Sequence, residues 1–111
     1  MAPHTPRPST AWSGRTRQLA LTCATRAITI NAICPGAVLT GLRANSTRIL
    51  GPDAPRMDRG VGASDDAVRT MTPAGRRGTV EEIAAACFLA TEAAGDITGH
   101  ALVVDGGWTA A

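Results

Sequence analysis

Residues 28–33, Ile-Thr-Ile-Asn-Ala-Ile, form a short apolar run rich in β-branched side chains, and Pro35-Gly36 stops it abruptly. Such a run is short, β-branched and abruptly ended. It reads as a strand of a parallel sheet, covered on both faces. Pro35 cannot donate to a strand ladder, and Gly36 lets backbone or ligand come close. Ligands of open α/β sheets sit just beyond the carboxyl ends of strands. A ligand-facing loop is therefore expected from Pro35 to about Leu42.

The rest of the chain supplies a second strand and a crossover. Residues 1–14 hold three Pro, one Gly and several Ser and Thr without periodicity, so they are expected to form a disordered tail. Residues 15–26 read as a helix, with Leu19, Cys23 and Ala27 at helical spacing, followed by a strand at about 27–33. Residues 40–72 are irregular, with short helical pieces near 42–50 and 65–71. A segment of this kind serves equally as a binding lid or as an exposed loop. Thr79-Val80-Glu81-Glu82 is a capping box that starts the clearest helix. That helix should bury Val80, Ile83, Ala84, Cys87, Phe88 and Thr91 and end near Ala94, with Gly95 beyond. Residues 100–104 form a second buried strand, closed by Asp105-Gly106-Gly107. Strand, helix, strand is a βαβ unit, with parallel strands and a right-handed crossover. The fold class is α/β: a helix–strand–loop–helix–strand piece of a Rossmann-like, doubly wound parallel sheet, spanning 15–111. Two strands are fewer than such sheets carry.

Composition narrows the function classes. With 111 residues there is room for one small domain. One Phe, two Trp and no Tyr leave a thin core of Ala, Val, Ile and Leu. A net charge of +2 argues against a nucleic-acid partner. Every basic residue is Arg; six precede Asp53, the first acid, and nine acids against five Arg follow from there. Nothing resembles a membrane span, and no apolar leader follows Met1. The acid-free, Arg-containing start is transit-like in composition but lacks an amphipathic helix. Cys23, Cys34 and Cys87 are odd in number and widely spaced, so neither a disulfide framework nor a metal site is expected. They read as small buried apolar groups in a reducing, cytoplasmic setting.

Three segments together carry a family resemblance. Asn31-Ala32-Ile33-Cys34-Pro35-Gly36-Ala37-Val38-Leu39-Thr40 resembles the loop after the sixth strand of the short-chain dehydrogenases/reductases. Pro73-Ala74-Gly75-Arg76-Arg77-Gly78-Thr79-Val80-Glu81-Glu82-Ile83-Ala84 resembles that family's entry to its last long helix. Ile97-Thr98-Gly99-His100-Ala101-Leu102-Val103-Val104-Asp105-Gly106-Gly107 is similar to its final strand and C-terminal turn. The order and spacing match over about residues 15–109. The resemblance implies NAD or NADP as cofactor, a small carbonyl or alcohol substrate, and hydride transfer between them, as in 3-oxoacyl-carrier-protein reductases. It also implies a nicotinamide-facing wall at Pro35, Gly36, Val38 and Thr40, with one residue's N–H and C=O pairing the carboxamide and a Thr hydroxyl nearby. The final strand and Trp108 would pack on a partner subunit, giving a homo-oligomer.

The resemblance covers only the C-terminal portion of that domain. No glycine-rich phosphate loop follows a strand, and the Tyr-x-x-x-Lys positions fall near Thr5 and Ser9. These 111 residues contain neither Tyr nor Lys. The family's proton transfer needs a phenol whose pKa a nearby ammonium lowers. No catalytic residue is therefore assigned. The chain reads as the C-terminal fragment of an NAD(P)-dependent oxidoreductase, inactive alone; the alternative is a non-catalytic remnant or oligomerisation module. Other polar residues have plain roles: Glu82 a cap, Asp105 a turn residue, Arg76 and Arg77 surface or interface groups, and His100 a packed or exposed strand start. A long apolar strand without neighbours invites aggregation. The isolated chain should be poorly soluble, and soluble, cooperative unfolding at micromolar concentration would contradict this.

Overall fold

A parallel pair of strands sits at the centre of the molecule, and the loops at its carboxyl end are tied together by backbone contacts. The computed structural model describes residues 10–54 and 64–110. In chain order these form α1 (Thr10–Cys23), β1 (Ala32–Pro35), α2 (Leu42–Leu50), α3 (Asp65–Met71), α4 (Val80–Ala84) and β2 (Ala101–Val104), with 3₁₀ turns between them. β1 and β2 pair in parallel, with Ala32 opposite Ala101 and Pro35 opposite Val104. The expected βαβ arrangement is thus present.

Hydrogen bonds mark both ends of this ladder. Ala32 N–H donates to His100 C=O at 2.9 Å, and Gly36 N–H to Val104 C=O at 3.0 Å. At the amino end the Asn31 side chain spans the gap. Its amide donates to Ile97 C=O at 2.8 Å and its carbonyl accepts His100 N–H at 3.1 Å. Beside it, Thr98 Oγ1 accepts Ile30 N–H, and Gly99 N–H donates to Ile30 C=O. Residues 28–31 are therefore met by a turn, not by a strand. This shortens and shifts the expected 27–33 strand to Ala32–Pro35. Ala27, expected to open the strand, instead closes the 3₁₀ turn Ala24–Arg26 in the left-handed region, φ 55°.

The expected start of the ordered domain also moves. α1 begins at Thr10, inside the segment read as a tail, while residues 1–9 lie outside the described residues. Its buried positions are Thr16 and Ala20, one helical turn apart, and Leu19 and Leu21 are exposed. Ala20 packs at the Gly99 turn, where a Cβ on the glycine would lie 3.4 Å from the Ala20 Cβ. α2 and α3 occupy the expected 42–50 and 65–71, whereas residues 55–63 of that long loop lie outside the described residues.

The last helix departs most from expectation. Its capping box forms as read: Thr79 Oγ1 accepts Glu82 N–H, and Glu82 accepts Thr79 N–H. After Ala84, however, the chain winds as 3₁₀ over Ala85–Ala90 and again over Glu92–Ala94. The buried residues are Ala86, Leu89 and Ala94, while Val80 and Phe88 are about half exposed. Ala86 and Leu89 are three apart, the period at which 3₁₀ side chains eclipse. The predicted α-helical face is therefore not the one that packs. Gly95 ends the segment with a right-handed φ of −60°, so its freedom to turn left-handed is unused. None of the three cysteines is buried, and all are free. No helix among the described residues is long and apolar enough to cross a membrane.

Gly36 and Gly14 make opposite demands on the fold. A Cβ on Gly36 would stand 2.8 Å from both Cα and Cβ of Asp105, whereas one on Gly14, within α1, meets nothing within 4 Å. Gly36→Ala should therefore destabilise the chain by about 1–3 kcal/mol. Gly14→Ala should stabilise it by about 0.5–1 kcal/mol through helix propensity. Denaturant midpoints in dilute solution, followed by circular dichroism, check both signs.

Candidate functional site

The loop that leaves β1 is fixed from three sides. Gly36 passes against the backbone of Asp105, so β1 and β2 nearly touch just beyond their last ladder bond. Ala37, 7% exposed, packs on Val68 of α3, which is 2% exposed. Val38 then forms an isolated parallel bridge with Gly78. In that bridge Gly78 N–H donates to Ala37 C=O at 2.8 Å and Leu39 N–H to Gly78 C=O at 2.9 Å. The bridge uses the peptide groups flanking Val38 and leaves Val38's own N–H and C=O on the opposite side. Among the described residues, no hydrogen bond takes either group.

Pro35, Gly36, Val38 and Thr40, the residues expected to form a cofactor wall, follow one another beyond the carboxyl end of β1. Pro35 ends the ladder opposite Val104. Val38 is half-buried and Thr40 is exposed. Thr40 Oγ1 accepts Leu42 N–H at 3.3 Å, where α2 begins, and keeps its own proton for donation. A carboxamide needs one donor and one acceptor side by side, which Val38 presents. The wall therefore fits the nicotinamide end of a dinucleotide in chemistry.

The turn after β2 supports this wall. Asp105 Oδ1 accepts Gly107 N–H at 2.9 Å, and Oδ2 accepts Thr109 N–H at 2.8 Å. Burial pushes the Asp105 pKa up, but hydrogen bonds from Thr109, Gly107 and Trp108 outweigh it and hold the carboxyl below its ordinary value. Asp105 is the turn residue expected. Gly106, at φ 65°, leaves no room for a side chain: a Cβ would fall 2.8 Å from Thr72 Cγ2. Its C=O accepts Ala74 N–H at 3.0 Å.

The two arginines are committed to carboxylates. Arg76 meets Glu82 in a two-pronged contact of 2.6 and 3.0 Å and also donates to Arg77 C=O. Arg77 Nε donates to Asp65 Oδ1 at 2.7 Å, tying the residue before the Gly78 bridge to the start of α3. The Arg77 side chain is only 18% exposed, so it is a structural tether more than a surface group. Local sequence pattern does not mark that pair, because it joins residues twelve apart across α3 and the turn at residues 72–75. Asn31 was equally hidden as a clamp, since no local pattern marks an amide that spans two strands. His100 is exposed, and its backbone, not its ring, is used. The described residues hold no cluster of three or more His, Cys, Asp or Glu that could bind a metal.

Comparison with known proteins agrees with this architecture. The sequence profile of the family described as enoyl-(acyl carrier protein) reductase matches residues 10–109. The chain is 41% identical over 98 residues to 3beta-hydroxysteroid dehydrogenase 2 of Eggerthella lenta, covering 87% of this chain and 34% of that protein. A Serratia marcescens short-chain dehydrogenase/reductase structure superposes with a TM-score of 0.66 at 34% identity, over 90% of this chain and 35% of the other. The structure of ElxO with NADP bound superposes with a TM-score of 0.68 at 28% identity, over 91% and 37%. The chain belongs to the short-chain dehydrogenase/reductase family and carries part of its Rossmann-like fold. It spans about a third of the length of the curated relatives it matches.

The Arg76–Glu82 contact gives a pH signature. Hydrogen bonding from Arg76, then from Thr79 N–H, lowers the Glu82 pKa from 4.5 to about 2. A lowered folded-state pKa adds stability above the unfolded value, and that contribution is lost as pH falls through the folded one. Glu82→Gln should therefore lower the denaturation midpoint by a constant amount from pH 7 down to about 4.5. Below that the gap should narrow, closing near pH 2. Midpoints of both chains across pH 2–7 check this.

Proposed function

We propose that this chain supplies the nicotinamide-side wall of an NAD(P)-dependent short-chain oxidoreductase and does not turn over substrate by itself. The observation that carries the reading is the Val38–Gly78 bridge, which turns Val38's N–H and C=O away from Gly78 and, among the described residues, leaves them without a hydrogen-bond partner. Pro35 and Gly36 would lie along the ring, Val38 would pair the carboxamide, and the Thr40 hydroxyl would donate to carboxamide or phosphate. The cofactor, when bound, carries the hydride exchanged with a carbonyl or alcohol substrate. NADP in the ElxO structure and the steroid substrate class in the Eggerthella lenta relative's name support a dinucleotide and a small carbonyl or alcohol partner. The choice between NAD and NADP is set outside these residues, whereas the choice of substrate rests partly on residues 40–72.

Incompetence alone follows from residue types. Without Tyr or Lys, the 111 residues hold no phenol–ammonium pair to move the substrate proton. Nor does a glycine-rich loop bring a helix N-terminus to the pyrophosphate, an interaction that contributes much of dinucleotide affinity. Three free cysteines suit a reducing compartment such as the cytoplasm.

A second reading, a non-catalytic association module, is favoured by β2. Val103 is 40% exposed on that strand. Self-association through it would give a homo-oligomer, which a monomeric sedimentation profile would rule out.

Titration of the chain with NADH and with NADPH, followed by tryptophan fluorescence, tests the main reading. Binding should be millimolar or undetectable, with no hydride transfer to or from carbonyl and alcohol substrates. Micromolar affinity or measurable turnover by the chain alone would overturn it.

A further inference from the structure

The Val38–Gly78 bridge is a single parallel pair with two hydrogen bonds, from Gly78 N–H to Ala37 C=O and from Leu39 N–H to Gly78 C=O. So short a pairing does not sustain itself in water, where even a two-stranded hairpin is marginal. Another contact must hold residues 37–39 against Gly78. The Arg76–Glu82 pair does not, because it closes within residues 76–82, all on the Gly78 side.

α3 touches both sides of the bridge. Val68, buried, packs on Ala37, the residue before Val38. Asp65, one turn earlier on the same face of the helix, accepts the Nε–H of Arg77, the residue before Gly78, at 2.7 Å. α3 is itself fixed at its far end. Thr72 caps it there and is buried, with Cγ2 so near Gly106 that a Cβ on the glycine would fall 2.8 Å away. Ser64 closes the other end by accepting Ala67 N–H. α3 is therefore a platform seated on the turn after β2, reaching both chain segments of the bridge.

The two contacts set different things. Val68 on Ala37 is apolar and non-directional, so it holds the segment close without aiming it. A charge-assisted hydrogen bond from Nε has a preferred line and length, so it fixes where Arg77, and with it Gly78, stands. The Arg77 side chain is mostly buried, and its stem is held by packing. Asp65 is exposed in the first turn of α3, where the helix dipole favours its charge. Resting on the reading of Val38 as the carboxamide-pairing residue, we propose that Arg77 and Asp65 are a positioning pair for the cofactor wall: their contact latches α3 across the Val38–Gly78 bridge and so fixes which way the Val38 peptide groups face. The pair acts through Gly78, not through contact with cofactor or substrate.

Residue-resolved amide exchange of the 111-residue chain tests this with Asp65→Ala, Arg77→Met and the double variant. Asp65→Ala removes an exposed carboxylate, and Arg77→Met keeps a packed stem while removing the donor. Each single variant should speed exchange of the Gly78 and Leu39 amides about tenfold. The Ala32 and Gly99 amides, bonded at the amino end of the ladder, should be unchanged. The double variant should match the singles and not multiply them, since the same contact is lost each time. Unchanged exchange at Gly78 and Leu39 in Asp65→Ala overturns the proposal. So does equal acceleration at Ala32 and Gly99, which marks general loosening, or multiplication of the two effects in the double variant. NADH titration of the unaltered chain separates this proposal from the functional reading. Micromolar binding or turnover defeats that reading and leaves the exchange result standing, whereas millimolar binding with unchanged exchange defeats the positioning pair alone.

Discussion

The near-contact of Gly36 with Asp105 is the constraint on which the rest of the molecule depends. It brings the carboxyl ends of the two strands closer than any residue with a side chain would allow. From Asp105 the constraint passes in two directions. Its carboxylate folds the C-terminal turn back on itself through Gly107 and Thr109, and Gly106 places that turn on Thr72 and Ala74. From Gly36 the chain is delivered to Ala37 and Val68, then to the Val38–Gly78 bridge. Three separate stretches of sequence thus converge at one end of a two-stranded sheet. They do so through backbone, with few buried side chains to help.

Much of this was readable from residue types. Pro35-Gly36 marks the strand end, Thr79 to Glu82 marks a helix start, and two apolar runs flanking a helical pattern imply a parallel pair. Those features rest on local chemistry, which a linear sequence records. The strand boundary at Ala32 was not readable. It is decided by Asn31 and Thr98, whose side chains convert an apolar run into the flank of a turn. The buried face of the last helix was missed for a similar reason. Val80 and Phe88 obey an α-helical period, but 3₁₀ winding sets the period to three and turns Ala86 and Leu89 inward.

The candidate wall was legible only in outline. The sequence marks Pro35, Gly36, Val38 and Thr40 through resemblance, and nothing in it shows which peptide groups are free. That depends on Gly78, forty residues away, taking the neighbours of Val38 and sparing Val38 itself. Arg77 helps to hold Gly78 in place by reaching Asp65, so a residue with no place in the chemistry is part of its geometry. The Arg76–Glu82 pair does the same for the helix that follows.

The 3₁₀ winding of Ala85–Ala90 also changes how far the chain reaches. A 3₁₀ helix rises about 2.0 Å per residue against 1.5 Å in an α-helix, so this stretch is longer by about 3 Å. That is roughly two α-helical residues' worth of span, gained without insertion. The connection from Gly78 to β2 is correspondingly thinner and more extended. The added span lies within the crossover that carries the chain from the Gly78 bridge to β2.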